Sequence, residues 1–131
     1  MVIIDGRELK ERKLQEIKNN VEELDSTLGL AVVQVGDDEA SKVYIRQKEK
    51  TALELGYKYV HKHFPADVSQ DELIREIELL NQDDSIDGIL VQMPLPKHLN
   101  ESEIQNVIDP LKDVDGLTYV NAGKLVQNVD G

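Results

Sequence analysis

The chain of 131 residues contains no cysteine, so it has neither disulfides nor thiolate chemistry, and it neither needs an oxidising compartment nor excludes one. Its eight glycines are never closer than seven residues apart, which rules out a dinucleotide-binding G-x-G-x-x-G and a P-loop. Excess positive charge is missing too. A net charge of −11 argues against nucleic acid or an anionic membrane as the main partner, while leaving room for a local basic patch that binds an anionic small molecule. The opening MVIIDGRELKER has too short an apolar run for a signal peptide, and no stretch approaches the ~20 apolar residues of a membrane span. These absences point to a cytoplasmic protein that handles a small molecule.

What is present is enough for one domain, since a chain of this size buries roughly two-thirds of its unfolded surface. Val2 to Ile4 is a short β-branched run, a candidate terminal strand interrupted by Asp5-Gly6. From Arg7 to Leu24, Leu9, Leu14, Ile17, Val21 and Leu24 recur at helical spacing among Lys and Glu, which predicts an amphipathic helix. Leu30 to Val35 is a nearly continuous apolar strand ending at Gly36, as expected when both faces are covered. Ala40 to Leu55 reads as a helix closed by Gly56, and Tyr57 to Phe64 as a less buried, alternating strand. Ser69 with Glu72 is a capping-box signature opening a third helix that carries Leu73, Ile74, Ile77 and Leu80.

Gly88 to Val91 is a further buried strand, left at Gln92-Met93-Pro94-Leu95-Pro96 because proline cannot donate to a ladder. Asn100 with Glu103 opens a short helix through Ile108, and the tail has a brief helical stretch near Ala122 to Val126. Strands alternating with helices predict an α/β fold of three layers, α/β/α, around a mainly parallel sheet of about four strands.

In such sheets ligands bind outside the carboxyl ends of the strands, where Gly36 to Lys48, Gln92 to Pro96 and Lys112 to Gly116 all fall. Tyr44 and Lys48 stand one helical turn apart on one face. A lysine amine can move protons and a ring can stack on a flat ligand, although from spacing alone a solvated helix surface is the plainer reading of both. Gln92 can hold a ligand or an amine, or bond to loop backbone. Asp113 and Asp115, if extended, point the same way and can bind a cation or the paired N–H groups of a heterocycle; a turn before Gly116 is the plainer reading. His61 and His63 share a strand face but lack a thiol or a positioned third ligand, so no metal is expected. His98 reads as a loop residue, and Asp37, Asp38 and Glu39 as charge placed at a helix start.

Three pieces, VGDDEASKVYIRQK, DGILVQMPLP and PLKDVDGLTYVNAGKL, in this order, resemble the bifunctional methylenetetrahydrofolate dehydrogenase/cyclohydrolase family. The resemblance runs from about Ile3 to Gly131, the family's N-terminal catalytic domain, and Met93 stands where leucine is common. It implies one tetrahydrofolate-binding catalytic domain over residues 1–131, without the dinucleotide domain. The implied enzyme oxidises 5,10-methylenetetrahydrofolate to the methenyl form with NADP or NAD, then hydrolyses it to 10-formyltetrahydrofolate, with no metal.

By that resemblance Lys48 is the catalytic lysine, Gln92 holds its amine, Tyr44 stacks along the folate, and Asp115 accepts from the pterin N–H edge. Backbone groups of Val91 and Met93, with the Pro94 turn, line the same cleft. The NADP site lies outside this chain, so dehydrogenase activity is not expected of it alone, and the full-length enzyme is expected to be a homodimer. The rivals are the substrate domain of a shikimate-type or amino-acid dehydrogenase, and a non-catalytic folate-binding module. The geometric expectation is that Lys48 faces Gln92 across a cleft with Asp115 at its far end.

Overall fold

The computed structural model describes residues 5–129, so the candidate strand at Val2 to Ile4 lies outside the described residues. Helix α1 spans Gly6–Glu22, strand β1 Gly29–Val35, α2 Glu39–Glu54, β2 Lys58–Phe64, α3 Gln70–Gln82, β3 Gly88–Val91, α4 Glu101–Val107 and α5 Tyr119–Gln127. The strands pair in the order β2-β1-β3, all parallel, with Ala31 opposite both Val60 and Ile89. Three strands therefore form the sheet among the described residues. Beyond the free edge of β3 a fourth position is reduced to one parallel bridge, Ile89 to Asp113, because the chain turns away at Gly116 with φ +67°.

Local chemistry fixes the helix ends. Asp38, Ser69, Asn100 and Thr118 each accept a hydrogen bond from the backbone N–H three residues on, satisfying a donor that the first turn cannot. The box at Asn100 is completed from another helix. Gln70 accepts from Asn100 N and donates to the Glu103 carboxylate, which ties the start of α3 to the start of α4. Helix α2 ends in a Schellman motif: Gly56 at φ +82° donates to Leu53 O, and Tyr57 N donates to Ala52 O.

Because side chains alternate along a strand, the sheet sorts its residues onto two faces. Ala31, Val33, Val35, Ile89 and Val91 face α3 and α4, where they join Leu73, Ile77, Leu80, Ile104 and Ile108 in the main core. Leu30, Val32 and Leu90 face α2 and meet Ile45 and Tyr59 in a smaller cluster. Helices thus cover both faces, as the three-layer expectation requires. Helix α1 buries no residue, and its apolar stripe, including Leu9 and Ile17, is largely exposed.

Candidate functional site

Strand β3 delivers Gln92 to its carboxyl end, and the ladder runs one residue past the strand because Gln92 N donates to Val33 O at 2.8 Å. That bond fixes the residue before the proline turn, whose Met93–Pro94 peptide is cis. Helix α2, started by the Asp38 cap, runs back over the sheet and carries Tyr44, Lys48 and Thr51 along one side. The two elements meet in a hydrogen bond from Lys48 Nζ to Gln92 Oε1, 2.9 Å long and partly buried. The other end of the amide is also fixed, since Gln92 Nε2 donates to Met93 O at 2.9 Å. Gln92 is thereby oriented with its oxygen toward the amine, the one arrangement in which an amide can hold a lysine.

Beside this pair lies an open cavity of about 470 Å³, a size suited to a small-molecule ligand. Leu30, Leu90 and Ala52 form apolar wall, while Tyr44, Lys48 and Thr51 supply polar groups. Tyr44 is 59% exposed, so its ring face is available to stack on a planar ligand. Val91 and Met93 turn their side chains into the core beneath α3 and α4, which leaves only their backbone for the cleft, and Pro94 is exposed.

Asp115 does not line the Lys48 cavity. It lies in an adjoining one of about 530 Å³ with Asp113, Gly116, Asn121 and Lys124, and Val114 is the wall that both cavities share. Nor do the two aspartates act alike, as an extended chain would have made them. The segment is a turn, in which Asp113 accepts from Gly116 N, Thr118 N and Asn121 Nδ2, while Asp115 is exposed. Partial burial pushes the Asp113 carboxyl up, but the hydrogen bonds from Thr118 and Asn121 outweigh it and hold the group below the ordinary aspartate value.

Sequence reasoning missed Val114 and Gly88. A Cβ on Gly88 would lie 2.6 Å from Val114 Cγ1, so the absence of a side chain there is what lets Val114 close over β3. The signal was a glycine at the start of an otherwise aliphatic strand.

His61 and His63 project from β2 on the α2 side, their rings stacked 5.8 Å apart. The Nε2 atoms contact Gln34 Oε1 at 3.0 Å and Gly36 O at 2.9 Å. Among the described residues no group of three or more His, Cys, Asp or Glu converges as a metal site. His98 is a loop residue bonded to Val68 O. No helix among the described residues is long and apolar enough to cross a membrane.

Residues 4–115 match the family described as "Tetrahydrofolate dehydrogenase/cyclohydrolase, catalytic domain". The bifunctional protein FolD of Ruthia magnifica is 48% identical over 98% of this chain and 46% of its own length. That of Limosilactobacillus reuteri is 50% identical, again over 98% and 46%. Among solved structures, the FolD enzyme of Campylobacter jejuni superposes with a TM-score of 0.94 at 38% identity, over 97% of this chain and 46% of that one. The Trypanosoma brucei dehydrogenase-cyclohydrolase, solved with NADP cofactor and an inhibitor, gives 0.90 at 34% identity, over 95% and 43%. The chain spans about half the length of the curated relatives it matches. These matches favour the folate reading over a shikimate-type substrate domain. The chain belongs to the tetrahydrofolate dehydrogenase/cyclohydrolase family, of which it carries the catalytic domain.

Proposed function

We propose that this domain binds the folate substrate of a methylenetetrahydrofolate dehydrogenase/cyclohydrolase and supplies the proton-transfer group for the hydrolytic step. The observation that carries the reading is the 2.9 Å bond between Lys48 Nζ and Gln92 Oε1 at the edge of an apolar cavity. In the hydrolysis, water adds to the cationic methenyl carbon with release of one of its protons as the C–O bond forms. The remaining hydroxyl proton passes to the leaving nitrogen as one C–N bond breaks, giving the 10-formyl amide and a free amine. Lys48 is the group that moves the proton, and Gln92 Oε1 holds its amine toward the cavity. Tyr44 stacks along the flat part of the ligand, and Asp115 accepts from the pterin N–H edge, with backbone of Val91 and Met93 and the Pro94 turn bordering the cleft. Asp115 reaches the same ligand only if that ligand crosses Val114, so the substrate spans both cavities.

NADP, present in the Trypanosoma brucei relative, finds no glycine-rich cradle in this sequence. The oxidation of the methylene to the methenyl form belongs to the proposal as the activity of the whole enzyme. So do its homodimeric assembly and cytoplasmic location. Support for an assembly is the uncovered apolar surface of α5, where Leu125 and Val126 are 80% and 87% exposed.

The test is Lys48→Ala in an enzyme carrying this domain, with methenyl hydrolysis followed by the loss of substrate absorbance. A loss of roughly 10²- to 10⁴-fold with folate binding largely kept is the expected result. Hydrolysis at the parental rate would remove Lys48 from the mechanism.

A further inference from the structure

Deepening the folate reading, and resting on it, we infer that Asp113 is a positioning residue whose carboxylate orders the turn that presents Asp115 to the ligand. Asp113 Oδ1 accepts from Gly116 N at 3.0 Å, and Oδ2 accepts from Thr118 N at 2.9 Å and from Asn121 Nδ2 at 3.1 Å. One side chain thus gathers the residue after Asp115, the cap of α5 and its first turn. The gathered unit is itself moored. Ile89 N donates to Lys112 O at 2.7 Å, joining the turn to the edge of β3, and Asn121 Nδ2 also donates to Pro110 O at 2.8 Å. Val114, between the two aspartates, closes over Gly88.

Asp115 stands in contrast, with an exposed carboxylate that has no hydrogen bond or ion pair among the described residues. The division of labour follows from acceptor capacity. Asp113 spends its oxygens on the protein, which leaves Asp115 free for a ligand and already held in place, so ordering the turn is not charged against binding. Ligand N–H groups then meet a carboxylate with both oxygens open, the arrangement suited to a paired-donor edge.

Asp113→Asn is the discriminating change, because it replaces one acceptor oxygen by an NH₂ group that must face donor N–H groups whichever way the amide turns. The probe is folic acid, titrated calorimetrically into the chain and into its Asp113→Asn, Asp115→Asn and doubly substituted variants. Each single change is expected to weaken binding about tenfold, as for loss of a hydrogen bond to a charged group. The double variant is expected to be scarcely weaker than Asp115→Asn, because Asp113 acts through Asp115. Parental affinity in Asp113→Asn, or fully multiplicative losses in the double variant, overturns the inference.

Amide hydrogen exchange at Gly116 and Thr118 reads the ordering without a ligand. Protection should fall in Asp113→Asn and persist in Asp115→Asn, and unchanged protection in Asp113→Asn overturns the ordering role. If the parental chain binds no folic acid while Asp113 still protects these amides, the folate reading falls and the ordering role stands. Should Asp113→Asn fail to fold, Asn121→Ser removes one of the three donors to Asp113, together with the bond to Pro110 O. A few-fold, Asp115-dependent loss is expected of it, and its absence overturns the inference.

Discussion

The two faces of the sheet are built from the same strands yet end differently. Toward α3 and α4 the core holds fourteen buried apolar residues, and toward α2 only Val32, Ile45 and Leu90 are buried in a cluster of their own. The first face is closed by two helices and the second by one, so an open cavity runs beside α2 where the other face has side chains. One face therefore holds the fold and the other holds the candidate site. Substitutions on the two should separate into changes of stability and changes of ligand affinity.

The largest effect is expected from Ile77→Ala, which empties a fully buried position on the closed face. A loss of about 2–5 kcal/mol in urea unfolding is expected, with folate affinity of the folded fraction unchanged within a few-fold. A large affinity change with unaltered stability would break the division between the faces. Gly88→Ala should cost less, about 1–3 kcal/mol, because the new methyl meets Val114 Cγ1 and must displace it. It is nonetheless expected to weaken folic acid binding as well, since Val114 separates the two cavities; a purely thermodynamic effect would show that this wall does not matter. Tyr44→Ala reverses the pattern. With Tyr44 59% exposed, stability should hold within about 0.5 kcal/mol, while folic acid binding drops by roughly tenfold as the stacking surface is lost. Unchanged binding by calorimetry would leave Tyr44 a plain surface residue.

Much of this was legible because it is local. The caps at Ser69 and Asn100, the Gly56 stop and the aliphatic run at Leu30 to Val35 are short-range devices, and they fall where their chemistry places them. That Lys48 and Gln92, 44 residues apart, can share one crevice followed from two strand-end positions and the parallel topology, whereas the pairing of amide with amine came from the resemblance to the family. Other features depend on what covers a surface, which periodicity does not encode. The stripe of α1 was correctly apolar, yet Leu9 and Ile17 stay exposed because no other described element buries them. The tail helix runs from Tyr119 to Gln127, longer than the stretch Ala122 to Val126, because the Thr118 cap starts it earlier than composition suggested. The turn before Gly116 was the plainer reading and is what forms, but which of Asp113 and Asp115 it turns inward was hidden, because a turn breaks the rule that alternate residues point together.

The smallest expected effect concerns β2, at the edge of the open face. Burial lowers the His61 ring below the ordinary imidazole value of 6.5, the neighbouring His63 lowers it further, and Glu49 opposes both. The folded chain thus holds the His61 proton less tightly than the unfolded chain does. As pH falls from 6.5 through the folded value, the unfolded state takes up more protons, so stability from this group is present above 6.5 and is lost on acidification. His61 is exposed, and solvent screening keeps the change smaller than any of the three above. Melting temperatures of the parental chain and of His61→Gln, compared from neutral pH down to the onset of carboxylate titration, should converge as pH falls. Parallel curves over that range would show that burial and the neighbouring His63 do not weaken the hold on the His61 proton, and would remove the pH dependence assigned to this face.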